Sequence, residues 1–569
     1  MNRIKKQHIV KQLGILLLLV ATALSCKKDE KFNDELIVNG DRLEVSSGGG
    51  SYVLDIVTTA TYEASADVNW ITIENNTGEK GKHKIALTVD RNDDNERTGT
   101  ITIRSGNAEI REIIVMQESG AVNVIYVKEN GAGDGSSWES ATDLQTALTQ
   151  ATSGSEIHIA AGTYRPTQTI TNGDEDDEAD NTFEINKNIK LVGGYPVNAT
   201  GSSTPDAAQN PTIFSGKLNS GTEVYHVVTV TAPKVDDMQV EIQGVTIRDG
   251  NTSDRSTRIT VNDIGYTRGY GGGMNIGGSK IVLRQVIVTE NKATDRAGSQ
   301  GYATGMFVHS GAELYMFDSH VTKNEGFGNG GGLWLDRSNA YMYNSTFNDN
   351  TTTGTAGAVH GYPDTDIYMY NCVISGNRNN AYGAGFYVRQ NSNGYLVNCL
   401  ITDNISTSAN GGGGVMLYNN TEVHLINTTV VGNEAAGPGG GVYRRNNTNH
   451  LTVVNSIISG NKQVSSSGDI DAFEEGAVAP VIKNSAIGTA IYSAGGTVQS
   501  GEAFNASTML SNQFLPIGSN NPALTFGMSS TALKDLANEY NPALDENLIV
   551  QDLHGNDRGS KTTMGAIVE

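Results

Sequence analysis

"NCVISGN" occupies residues 371–377, and "NCLITDN" follows at residues 398–404. Further copies read "NSTFNDN" (344–350), "NTTVVGN" (427–433) and "NSIISGN" (455–461), with "DSHVTKN" (318–324) and "QVIVTEN" (285–291) as degenerate forms. The closing asparagines fall at 291, 324, 350, 377, 404, 433 and 461, in steps of 33, 26, 27, 27, 29 and 28. So regular a period marks a solenoid, whose units bury their apolar faces only against one another. Two positions before each opening residue stand Met316, Met342, Met369, Leu396, Leu425 and Val453; three after it stand Val321, Phe347, Ile374, Ile401, Val430 and Ile458. That is period-two alternation, hence short strands with glycine and asparagine at the corners. The expected fold class is all-β, with a right-handed parallel β-helix of two or three strands per coil.

Parity extends the reading. The opening Asn344, Asn371, Asn398, Asn427 and Asn455 share the inward parity of Met369 and Leu396, which places their amides inside a corner. Stacked coils hold such amides about 4.8 Å apart, so each can bond the coils above and below as a structural ladder. Asparagine also tolerates the left-handed backbone of a sharp corner. Beside it runs a column of small residues: Ser319, Ser345, Cys372, Cys399, Thr428 and Ser456. Cys372 and Cys399 are therefore expected as stacked, buried free thiols, since the chain's three cysteines are too few for a disulfide framework.

The chain has 569 residues, too many for one ordinary core. Its 67 glycines and 18% charged residues, with 37% hydrophobic, describe a turn-rich β-protein rather than a disordered one. A net charge of −22 repels phosphates and argues against a nucleic-acid partner. Residues 1–25 have a basic start, the apolar run Leu13–Leu24 and no acid, a signal peptide too short to span a bilayer permanently. "ALSC" at 23–26 resembles the lipobox of bacterial lipoproteins, which implies lipidation of Cys26. "KKDE" at 27–30, in the tether 26–35, resembles the export tag of surface-exposed Bacteroidota lipoproteins. These resemblances imply an outer-membrane, lipid-anchored and surface-exposed protein.

Residues 36–119 alternate in short strands such as "SYVLDIVT", "NWITIE" and "GTITIRS", separated by turn residues, and read as an immunoglobulin-like β-sandwich. The stretches "DVNWITI", "NDDNERTGTITI" and "VMQES" resemble the BACON domain, which implies a spacer often joined to carbohydrate-active modules. Trp70 is expected in its core.

Residues 121–569 are assigned to the β-helix. A second clause recurs there: "GGGMNI" (271–276), "GGGLWL" (331–335 for its last five letters), "GAGFYV" (383–388) and "GGGVYR" (439–444). With "FNDN" and "ISGN", it resembles the repeats of chlamydial polymorphic membrane proteins, β-helical surface adhesins, over about 270–461. Residues 124–166 resemble the entry cap of bacterial right-handed β-helix proteins, with an amphipathic helix expected over Asp143–Ala151. Residues 462–569 are expected as irregular coils and a cap, 552–569 resembling the matching terminal segment.

Within the glycine clause, the residue between the inward pair points outward, giving the column Asn275, Phe307, Trp334, His360, Tyr387, Met416 and Tyr443. Two positions on lies a second: His309, Asp336, Tyr362, Arg389, Tyr418 and Arg445. Phe307, Trp334, His360, Tyr387 and Tyr443, flanked by Asp336, Arg389, Tyr418 and Arg445, form the candidate ligand-binding set. Aromatic faces cover the apolar side of a sugar ring, and charged groups bind hydroxyls or uronates. Tyr315, Tyr341, Tyr368 and Tyr395 form a rival column. A hydrolase needs two carboxylates at set separation, and this face offers Asp336 as its only clear acid. No metal is expected there and no cofactor, although "GDEDDEAD" (173–180) could hold calcium with carboxylates. The expected role is non-catalytic binding of glycans or other host or cell-surface ligands. A polysaccharide lyase using Arg389, Tyr418 or His360, and a protein-binding adhesin, stand as alternatives.

Overall fold

The computed structural model describes residues 34–92, 96–117, 122–235, 238–296, 299–446 and 448–465, then segments 472–474, 480–488, 490–491, 510–511, 528–540, 548–554, 556–558 and 563–567. Cys26 and the leader lie outside these residues. The chain divides into two compact units, 1–121 and 122–569.

The first unit sets a four-stranded sheet, ordered Leu36–Val38, Gly50–Thr58, Gly81–Val89 and Ile71–Glu74, against a five-stranded one. Ile56, Ile85, Leu87, Ile101, Ile103 and Val115 fill the space between the two as one core. Trp70 belongs to that core at 9% exposure, with the Arg97 guanidinium 4.4 Å over its ring.

The second unit is the solenoid. One coil runs through Asp366–Tyr370 (face A), Val373–Ser375 (face B), the two-residue bridge Arg378–Asn379 (face C) and Phe386–Arg389 (face D). Each pairs in parallel with its counterpart one coil on, giving stacks of 12, 11, 8 and 11 strands. The two or three strands expected per coil are four because a two-residue strand is too short to show alternation. Inward side chains such as Met369, Ile374, Phe386 and Val388 build one continuous core. At its entry the helix Leu144–Gln150, capped by Asp143, buries Leu144, Ala147 and Leu148. The glycine clause is a matter of clearance: a Cβ on Gly385 would sit 2.4 Å from the Gly414 carbonyl of the next coil.

Two asparagine ladders exist. The interior one uses the closing asparagines: Asn377 Nδ2 donates to Asn404 Oδ1 at 2.8 Å, to Phe347 O at 2.8 Å and to Ser375 O at 3.0 Å. Asn291, Asn324, Asn350, Asn404 and Asn433 repeat the pattern, all fully buried. The opening asparagines also bond in sequence, Asn398 Nδ2 to Asn371 Oδ1 and Asn427 Nδ2 to Asn398 Oδ1, each at 3.0 Å. Asn344 is exposed, against its expected place inside the corner, and Asn371 is 7% exposed. The opening residues take φ from 50° to 55°, and this left-handed turn cancels the parity carried in from the strand. Asn398, Asn427 and Asn455 are buried because the C-terminal segment lies over them, accepting at Leu548 O, Ile549 O and Thr563 O.

That segment also revises the expected cap. Leu533, Leu548, Ile549 and Val550 press on Tyr368, Tyr370, Tyr395 and Val397 of face A. Ala566 N donates to Thr429 Oγ1 at 2.9 Å, and Gly565 N to Asn455 O at 2.8 Å. Residues 548–567, where described, therefore strap the side of the solenoid. Cys372 and Cys399 are buried free thiols on adjacent coils.

Candidate functional site

Face D carries both expected columns in register: Phe307, Trp334, His360, Tyr387, Met416 and Tyr443 on successive strands. They do point away from the core, but an exposed aromatic platform is not what they form. Phe307 and Trp334 are 7% exposed, Tyr443 3%, and His360 and Tyr387 fully buried. The loops leading into face D fold back over them. Tyr270 stacks on Phe307 at 5.0 Å, and Tyr382 on Tyr387 at 6.3 Å. Neighbouring coils occupy the ring faces as well, His360 lying 5.2 Å from Trp334 and 5.1 Å from Tyr387. A ring whose two faces are taken by rings one coil away has none left for a sugar. The rival column fails identically, with Tyr315, Tyr341, Tyr368, Tyr395 and His424 stacked at 4.7–5.0 Å.

Burial fixes the histidines in their neutral form. The His360 pKa falls well below the ordinary value because no water reaches it, with the Arg389 charge adding to the effect. For the same reason burial lowers His309 to about 3. His360 therefore cannot meet a substrate as its base. Arg444, inward by parity, is indeed interior at 1% exposure and donates to Asn449 O at 3.1 Å.

The second column is different. Asp336, Tyr362, Arg389, Tyr418 and Arg445 are all half-exposed along the edge of face D. The Arg389 guanidinium lies 3.7 Å over the Tyr362 ring, and Arg445 sits 5.0 Å from Tyr418 and 5.1 Å from Tyr382. Guanidinium over aromatic is a cation–π arrangement, and Arg445 also hydrogen-bonds the Tyr382 hydroxyl. Among the described residues no carboxylate pairs with Arg389 or Arg445, and Arg389 Nε meets no acceptor. Asp336 is held by Arg337 at 2.6 Å, and partial burial raises its pKa. Tyr382 escaped the sequence reading because it sits in a loop outside the strand alternation; its place just before a glycine clause was the available signal.

Two further features lie away from face D. The acidic stretch 173–180 folds around Arg268, which donates to Asp180 Oδ1 at 2.9 Å and faces Asp177 at 3.5 Å and Asp254 at 3.9 Å. A guanidinium thus stands where calcium was considered, and among the described residues no cluster of metal-ligating groups occurs. A groove of about 570 Å³ beside face B, lined in part by Asp206, Thr246, Gln285, Asp318 and His320, went unread because it needs a distant loop.

Residues 59–118 match the family described as "BACON: Putative binding domain, N-terminal", and residues 329–486 match the right-handed β-helix region. No curated protein matches the chain. Among solved structures, pectate lyase Pel9A is similar at 14% identity and TM-score 0.38, with 79% of this chain and 97% of that one covered. A Bacteroides ovatus GH5 xyloglucanase is similar at 17% identity and TM-score 0.17, covering 37% of this chain and 46% of that one. A Bacteroides thetaiotaomicron protein solved by NMR shares 16% identity at TM-score 0.12, covering 17% and 96%. The chain spans about half the length of the first solved structures it matches, 53% of a YadV chaperone and 46% of the xyloglucanase. The chain carries a BACON domain at residues 59–118 and a right-handed β-helix region at residues 329–486, the latter part of a longer solenoid.

Proposed function

We propose that the protein binds an extended glycan along the open edge of face D and does not transform it. The observation that carries this reading is the row Tyr362, Arg389, Tyr418 and Arg445, one residue per coil, with both guanidinium groups unpaired by any described carboxylate. Half-exposed tyrosine and arginine side chains suit sugar hydroxyls and acidic substituents. Lipidation at Cys26, outer-membrane anchoring and surface display belong to the same proposal and place the row toward external glycans or cell surfaces. Phe307, Trp334, His360, Tyr387 and Tyr443 then serve as the rigid backing of the row.

Glycan-array binding of the purified protein tests this. Hits are expected that weaken in Arg389→Ala and Tyr418→Ala and persist in Tyr315→Ala on face A. Binding untouched by either face D change removes the row as the site. A lyase keeping Arg389 and Tyr418 as its working groups is the second reading, favoured by their half-exposed placement on adjacent coils. It requires ultraviolet-absorbing unsaturated products from a uronate polymer. Array hits confined to proteins favour the adhesin instead.

A further inference from the structure

We infer that the face D row takes a linear polysaccharide in which a uronate alternates with a neutral sugar. This rests on the glycan reading above and adds the charge pattern of the ligand. Strand register puts Tyr362, Arg389, Tyr418 and Arg445 on four successive coils, Val388 pairing with Gly361 beside the first two and Arg389–Tyr418–Arg445 pairing directly. The two arginines are thus two coils apart, roughly 10 Å at the spacing of paired strands. An extended sugar chain running along the solenoid axis advances about one ring per coil, so it meets tyrosine, arginine, tyrosine, arginine in turn. Carboxylates on every second ring fall opposite Arg389 and Arg445, and neutral rings fall opposite Tyr362 and Tyr418.

Three observations support a carboxylate as the missing partner. In a chain of net charge −22, these two cations face no carboxylate among the described residues. Arg389 and Arg445 are both half-exposed at the edge of face D, where a ligand can reach them. Each guanidinium is held flat by tyrosine, Arg389 over Tyr362 and Arg445 beside Tyr382 and Tyr418. A guanidinium held against aromatic rings keeps the planar donor set that bidentate carboxylate recognition uses. Asp336, one coil before Tyr362, repels a further uronate and closes the row at that end.

Calorimetric titration of the full chain with three oligosaccharides of equal length tests the inference. These are hyaluronan fragments with uronate on alternate rings, oligogalacturonate with uronate on every ring, and an uncharged β-glucan. Hyaluronan fragments are expected to bind at least about tenfold more tightly than the glucan, which offers the two arginines no carboxylate, and more tightly than oligogalacturonate, whose intervening carboxylates meet tyrosine with no cation. Arg389→Gln and Arg445→Gln should each reduce that affinity about tenfold with unchanged circular dichroism. Tyr418→Arg, which places a cation on the intervening coil, should shift preference toward oligogalacturonate. Equal or better binding of the uncharged glucan overturns the charge pattern and leaves the glycan reading standing. A preference for oligogalacturonate in the unaltered chain overturns the alternation. Binding of none of the three, together with an array free of row-dependent hits, overturns both readings.

Discussion

Asparagine has two jobs in this chain, and only burial tells them apart. Asn377 fills its amide completely, giving Nδ2 to Phe347 O, Ser375 O and Asn404 Oδ1 while Oδ1 accepts from Asn350 N and Nδ2. Replacing it by alanine strands buried donors and acceptors on both neighbouring coils, each worth about 1–3 kcal/mol. Asn344 is exposed and contributes one bond to each neighbour, Asp318 and Asn371. Asn377→Ala should therefore lower stability by about 2–4 kcal/mol and Asn344→Ala by about 1 kcal/mol or less, read from urea midpoints. Equal losses at the two positions would mean that the interior ladder is not special. The repeat exposed the period and the strands because asparagine recurs at both ends of each "N…N" clause. Which end turns inward was not legible, since a single left-handed residue at Asn371, φ 53°, reverses the count.

At the scale of elements, strand alternation predicts which side chains leave the core and says nothing of what then covers them. His360 and Tyr387 leave the core and are sealed by loops; Tyr368 and Tyr395 leave it and are sealed largely by residues 548–550 and Leu533. Both covers come from outside the strand concerned, so no local pattern encodes them. The strap depends on Arg558, which is 1% exposed and donates to Gln551 O at 2.8 Å, Thr563 O at 3.1 Å and Gly565 O at 2.6 Å. One side chain thus ties together three points of the strap. Burial lowers its pKa to about 10, which leaves it charged at neutral pH. Arg558→Ala should release the strap: hydrogen exchange would quicken across 548–567 and at Asn398 and Asn427, with coils 306–350 unchanged. Uniform quickening along the solenoid would instead show that the strap and coils open as one unit.

Over the whole molecule, the buried histidines of the solenoid make stability depend on acid. Desolvation lowers His226 to about 4 and His309 to about 3, and pushes His360 in the same direction. All three sit on or beside face D, in the second unit. The unfolded chain takes up these protons near pH 6.5, whereas the folded chain resists until its lower values, so between the two the unfolded state holds more protons. Stability is accordingly full above about pH 6.5 and is lost as pH falls, by about 1.4 kcal/mol per pH unit for each histidine. Unpaired carboxylates begin to titrate near pH 5 and below, so the window from 6.5 to 5 isolates the histidines. Urea midpoints of the solenoid should fall steadily across that window, and His309→Asn should flatten the slope without abolishing it. None of these buried histidines lies in the BACON unit, so hydrogen-exchange protection of its core amides, Ile85 and Ile101 among them, should stay level over the same range. A solenoid midpoint that stays level from pH 6.5 to 5 would show that these imidazoles reach water, and the sealed backing assigned to face D would have to be open.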